Sequence, residues 1–183
     1  MSKKVLVPIA DGSEEIEAVC IIDVLRRAGA SVTVASVDGL HITASRGVKI
    51  VADTMIANCV DTAYDLIALP GGMPGAEHLR DSLDLTGLLK RQHREGRFYA
   101  AICASPAVVL RHHGLLSSRH ATCHPAFSEQ MENKNSLNFR VVVDGNCITS
   151  RGPGTALEFA LKLVEILYGK EKAAEVGLPM VLP

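Results

Sequence analysis

Along this chain, short unbroken apolar blocks alternate with longer stretches whose apolar residues recur at helical spacing. Val5-Leu6-Val7-Pro8-Ile9-Ala10 reads as a strand. Asp11-Gly12-Ser13 is a turn in which Ser13 can cap a helix running from about Glu14 to Ala28, with Gly29 as its stop. Ser31 to Val37 is a second strand, so the opening is a β-α-β unit with parallel strands and a right-handed crossover. The β-branched stretch from Ile42 to Asp53 predicts a small excursion of short strands.

Asp65 to Leu69 is apolar enough for a central strand and runs into the glycine-rich loop Pro70–Ala76. Helical spacing returns from Asp84 to Glu95, with Gly96 as the stop. A buried strand from Phe98 to Ile102 follows, and Pro106 opens a helix closed by Gly114. Ala121 to His124 reads as a short strand ending at Pro125, while residues 128 to 138 have no clear period. Val141 to Ser150 is a hairpin on Asp144-Gly145. A helix from Thr155 to about Leu167 carries a buried stripe at Leu157, Leu161, Val164 and Leu167, and a last short helix covers Glu171 to Val176.

Strands that alternate with helices predict an α/β domain with a mostly parallel central sheet and helices on both faces. No repeat or linker interrupts the chain, so residues 1–183 are expected to form a single domain. Sheets of this class place sites at the carboxyl ends of their strands. Four loops meet that condition: the one before Glu14, the Gly71-Gly72 loop, the corner at Cys103 and the turn at His124.

Charge changes the picture mainly by exclusion. The net charge is −1 with no basic block, which argues against nucleic acid as the main partner. No apolar run has the length of a membrane span, and the amino terminus passes directly into a strand without a leader pattern. Five cysteines without CxxC pairs do not form a disulfide frame, so a reducing, cytoplasmic setting is expected.

Cys103 is the leading candidate for chemistry. It lies at a strand-to-helix corner, which turns a side chain outward at the sheet edge. Free N–H groups at a helix start favour a thiolate, so its pKa is expected well below the free-thiol reference of about 8.5. The bland alternative is a small buried hydrophobe. Glu14 and Glu15 are explained by the helix dipole, but Glu17 is a full turn from the cap. A carboxyl beside a thiolate would be pushed toward its protonated form and could donate to the sulfur. Gly71-Gly72 could be a tight turn or an oxyanion hole. His124 is the one histidine expected at the sheet edge, and Arg46 and Arg27 could form an anion pocket or simply be solvated. No residues show metal-ligand spacing.

Six segments in order carry a resemblance: Asp11-Gly12-Ser13-Glu14-Glu15-Ile16-Glu17, Ser45-Arg46-Gly47-Val48, Leu69-Pro70-Gly71-Gly72, Ala100-Ala101-Ile102-Cys103-Ala104, Thr122-Cys123-His124-Pro125 and Thr149-Ser150-Arg151-Gly152-Pro153-Gly154-Thr155. Together they resemble the Parkinsonism-associated deglycase branch of the ThiJ/PfpI superfamily. The resemblance implies a flavodoxin-like three-layer sandwich and a homodimer. It implies Cys103 as nucleophile and oxidation-sensitive thiol, Glu17 as its protonated partner and His124 as a nearby base. Gly72 and Ala104 would be backbone donors, with Arg46, and Arg27 of a second subunit, lining an anion pocket. The implied activity is a cofactor-independent glyoxalase or deglycase acting on small 2-oxoaldehydes such as methylglyoxal, or on their early protein and nucleotide adducts, in oxidative-stress protection. The alternative is a redox sensor or chaperone that acts through a Cys103 sulfinate. Ser105 stands where that branch more often has glycine and is expected to narrow the pocket.

Overall fold

The computed structural model describes residues 2–182. Its centre is a seven-stranded sheet made of β1 (Lys4–Ile9), β2 (Ser31–Ser36), β5 (Thr54–Met55), β6 (Leu66–Leu69), β7 (Phe98–Ile102), β8 (Val141–Asp144) and β9 (Cys147–Ser150). The spatial order is β5-β2-β1-β6-β7-β9-β8. Every pairing is parallel except the hairpin β8–β9, whose turn is Gly145-Asn146. The short strands β3 (His41–Thr43) and β4 (Lys49–Val51) form a separate antiparallel hairpin.

β1, β6 and the interior of β7 are buried on both faces, which is why they read as unbroken apolar blocks. One face is covered by α1 (Glu15–Arg27) and α4 (Ala156–Tyr168), which press Ile21, Leu25, Phe159 and Leu163 against Val5, Val7 and Ala100. The other face is covered by α2 (Gly75–Asp81), α3 (Leu83–Arg94) and the short helix Pro106–Arg111, through Leu79, Leu85, Leu89 and Val109. Each fully buried side chain of this size contributes roughly 1.5–3 kcal/mol of transfer free energy. This is the flavodoxin-like three-layer arrangement. A last helix, α5 (Lys170–Gly177), buries Val176 beside α4.

Several elements differ from the sequence reading. Ser13 does not cap α1: its hydroxyl accepts the N–H of Ala10, and Glu14 caps instead by accepting the N–H of Glu17 at 2.8 Å. The glycine-rich segment contains α2, hidden in the sequence by Pro74 and Gly75 at its start. Residues 121–124 form no strand: the segment is apolar and buried but has no sheet partner. The α4 stripe is turned relative to the expected one, with Phe159, Ala160 and Leu163 buried and Leu157 exposed. The Pro106 helix is six residues of widened, i→i+5 turns, so it offers little macrodipole.

Candidate active site

The carboxyl ends of β1, β6 and β7 converge on Cys103. The residue has φ of 65°, a left-handed conformation that a side chain adopts at a cost of about 1–2 kcal/mol. Backbone bonds on both sides hold it there. Its N–H donates to the Ser150 carbonyl at 3.1 Å, and its carbonyl accepts the His124 N–H at 2.8 Å. Ser105 does not narrow the cleft. It is fully buried, and its hydroxyl donates to the Pro70 carbonyl at 2.5 Å, tying the corner to the loop after β6.

That loop brings the second component. Gly71 donates its N–H to Glu17 Oε2 at 2.7 Å, and its carbonyl accepts the Glu14 N–H at 2.9 Å. A Cβ on Gly71 would lie 2.6 Å from Cys103 Cβ and 2.9 Å from Glu17 Oε2, so only glycine lets thiol and carboxyl meet here. Gly72 is equally constrained: its φ is 90°, and a Cβ would lie 2.4 Å from the Glu14 nitrogen. The backbone N–H groups of Gly72 and Ala104 lie near the Cys103 sulfur and favour its charged form. Gly71 was legible only as half of a glycine pair; its role in holding Glu17 needs the fold.

Glu17 has no exposed surface, and its Oε1 is buried without a hydrogen-bond partner. Burial pushes its pKa up, and the charge of Glu14 adds to this. The Gly71 N–H and the Cys103 contact oppose them, leaving it at about 7. Burial also pushes the Cys103 thiol up, and the charge of the adjacent Glu17 pushes it further, to about 12, against the Gly72 and Ala104 N–H groups. While Glu17 is charged the thiol is therefore raised, and a helix start does not lower it. The two values belong to one pair that holds a single negative charge near neutrality. When the proton sits on Glu17, the charge that raised the thiol is gone, and two N–H donors remain aimed at the sulfur.

The Arg46 segment comes from the β3–β4 hairpin. Burial alone would raise the Glu15 carboxyl, but its own N–H, the Ser45 hydroxyl and the N–H groups of Arg46 and Val48 hold it below the ordinary value. Glu15 thus anchors Ser45 and Arg46 at the mouth, with bonds of 2.8 Å to each. The cleft has a volume of about 490 Å³; Cys103, Gly72 and Ala104 form its floor, and Ile16, Met73, Phe127 and Pro153 its apolar walls.

His124 lines the same cleft and is half-buried. Its Nδ1 accepts the Ala126 N–H at 3.2 Å, which leaves Nε2 to carry the proton in the neutral ring. Among the described residues no hydrogen bond joins this ring to the Cys103 sulfur. Arg27 is not part of the site within one chain. It lies about 15 Å along α1 from Glu17 and pairs with Asp23 at 2.6 Å on the exposed surface. Among the described residues there is no group of three or more His, Cys, Asp or Glu placed to hold a metal, and no helix long and apolar enough to cross a membrane.

Comparison with known proteins follows this geometry. Residues 3–166 match the model of the DJ-1/PfpI family. Protein DJ-1 homolog B of Arabidopsis thaliana is 49% identical over 183 residues, 99% of this chain, although the chain spans only 42% of that relative's length. Protein dj-1beta of Drosophila melanogaster is 46% identical, over 97% of this chain and 96% of its own length. The Caenorhabditis elegans protein named glutathione-independent glyoxalase DJR-1.2 is 38% identical, over 99% of this chain and 96% of its own. Among solved structures, oxidized Toxoplasma gondii DJ-1 superposes with a TM-score of 0.96 at 52% identity, covering 98% of each chain. The chain belongs to the DJ-1/PfpI family.

Proposed function

We propose that the protein is a cofactor-independent glyoxalase of small 2-oxoaldehydes, extending to their early protein and nucleotide adducts, with Cys103 as nucleophile. The observation that carries this reading is the paired site: a thiol in a strained corner, two backbone N–H groups nearby that favour its charged form, and a buried carboxyl pushed up to about 7. The name of the C. elegans relative supports the same activity.

The chemistry follows from the shared proton. Cys103 adds as thiolate to the aldehyde carbon of methylglyoxal, and the alkoxide takes a proton to give a hemithioacetal. Glu17 is the adjacent acid, and the His124 Nε2–H is a second donor. Moving a proton from C1 to C2 then gives an S-lactoyl thioester. Water hydrolyses it to lactate and regenerates the thiol, so one water is consumed and no electrons leave the substrate. Arg46 at the mouth attracts anionic substituents. Arg27 takes part only if a second copy of the chain brings it over the cleft, as expected of a homodimer. The test is lactate formation from methylglyoxal by wild type and Cys103→Ala; equal rates would remove the enzymatic reading.

A second reading has its own observation. The Gly72 and Ala104 N–H groups could equally hold the oxygens of a Cys103 sulfinate, giving a redox sensor or chaperone. The two roles are compatible, and selective gain of two oxygens at Cys103 under peroxide would support the second.

A further inference from the structure

The Cys103 cleft does not end at His124. A second groove of about 270 Å³ begins on the far side of the ring, and His124 and Pro153 line both spaces. Its floor is the Gly152–Thr155 turn, and its walls are Arg140 and Arg151. Gly152 lies close under the imidazole: a Cβ there would be 3.3 Å from His124 Cδ2. Among the described residues no carboxylate lines this groove.

The two arginines differ in their partners. Arg140 is compensated, with Nε donating to Glu158 at 2.6 Å and its terminal nitrogen donating to the Gly154 carbonyl at 2.8 Å. Arg151 is not. Its backbone N–H donates to the Thr155 hydroxyl, but among the described residues its guanidinium has no ion pair or hydrogen bond, and Nε is buried without a partner. A half-buried, unpaired guanidinium is costly unless something else supplies its acceptor. Its position is also tied to the thiol. β7 and β9 run parallel with Ile102 opposite Ser150, and the Ser150 carbonyl accepts the Cys103 N–H, so Arg151 is the residue that follows the partner of the Cys103 corner. The turn beneath it is satisfied internally, since the Thr155 hydroxyl accepts the Arg151 and Gly152 N–H groups. The missing acceptor must therefore come from outside the turn.

We infer that the groove beyond His124 is a recognition subsite for an oxyanion, carboxylate or phosphate, carried on the arm of a substrate whose reactive carbon lies at Cys103, with Arg151 as its ligand. The inference rests on the glyoxalase reading for its substrate class and deepens it: adducts bearing such an anion are preferred over neutral ones. Arg151 forms a fork suited to either anion, and a charged hydrogen bond of this kind changes affinity about tenfold or more.

The test has two arms. In the first, turnover is compared for methylglyoxal adducts of N-acetylarginine and its amide, and of guanosine 5′-monophosphate and guanosine. The expected result is an anionic-to-neutral preference in kcat/KM, carried by KM, that falls about tenfold in Arg151→Met and is largely restored in Arg151→Lys. If only the carboxylate pair or only the phosphate pair behaves so, the subsite is assigned to that anion. The second arm needs no turnover: protection of Cys103 from iodoacetamide by guanosine 5′-monophosphate against guanosine, and by N-acetylarginine against its amide. Absence of turnover on every adduct would remove the extension of the activity to adducts, yet protection would still decide the subsite. Wild type that protects equally well with the anionic and neutral member of both pairs overturns the inference whether or not the methionine variant folds. So does a preference that is unchanged in Arg151→Met.

Discussion

Cys103 and Cys147 belong to the same pair of strands and have opposite fates. Cys147 stands opposite Tyr99 in the β7–β9 ladder, and Cys103 lies four residues farther along β7, about 13 Å toward the carboxyl edge. Burial pushes both thiols up to about 12. At Cys147 the neighbour is Tyr99, itself pushed by burial well above the ordinary phenol value and donating its hydroxyl to the Leu115 carbonyl. At Cys103 the neighbour is Glu17, whose carboxyl takes up a proton near pH 7. A raised thiol value therefore marks two different things, a dry core in one place and a shared proton in the other. The difference lies in the partner and in access to the cleft.

The strongest way to break this contrast is to exchange the two thiols for inert groups in turn. Cys103→Ala should lower lactate formation at least about a thousandfold, whereas Cys147→Ala should leave it within about twofold and lower the melting temperature instead. Similar losses from both would make the contrast meaningless. Peroxide sharpens it on a different scale. Mass spectrometry should find two added oxygens on Cys103 at least about tenfold faster than on Cys147, which solvent does not reach. Gly71→Ala attacks the junction itself. The new methyl forces Cys103 and Glu17 apart, so turnover should fall about a hundredfold, with about 1–3 kcal/mol of stability lost in denaturant unfolding. Activity near wild type would mean that the pair does not need this contact.

Glu17 also leaves a mark on stability. Its folded pKa of about 7 lies above its ordinary value of 4.5, so the folded protein keeps a proton that the unfolded chain has lost. Its contribution is present below pH 4.5 and is lost as pH rises toward 7, by about 3 kcal/mol in all. Glu17→Gln should therefore flatten the fall in stability between those values and be more stable than wild type at pH 8, by about 1–3 kcal/mol in urea titrations. An unchanged pH slope would mean that Glu17 ionises freely in the fold.

Much of this was legible along the chain. The Cys103 corner, the β6 loop and the register of strands and helices all follow from apolar blocks ending at glycine and proline. What stayed hidden depends on neighbours distant in sequence. Gly71 and Gly72 look identical until one is seen between thiol and carboxyl and the other against the Glu14 backbone. Ala121–His124 has the composition of a strand, but it lies against Thr149 of β9, which already pairs with β7 and β8. Arg27 shares α1 with Glu17, and only the length of that helix shows that one chain cannot bring both to the cleft. The helix start that suggested a low thiol pKa is not its source, because the Pro106 helix is short and wide; the decisive group, Glu17, comes from another element.

The central claim is that one proton is shared between Cys103 and Glu17 and rests on the carboxyl when the site is reactive. The direct measurement is ultraviolet thiolate absorbance against pH, taken as the difference from Cys103→Ser, in wild type and in Glu17→Gln. A shared proton predicts thiolate appearing in wild type around pH 7, as the pair loses its first proton. It also predicts a shift upward by roughly one to two units in Glu17→Gln, where the donor to sulfur is weakened. The contradicting result is opposite in sign: no Cys103 thiolate in wild type until far into the alkaline range, and a shift downward when the Glu17 charge is removed.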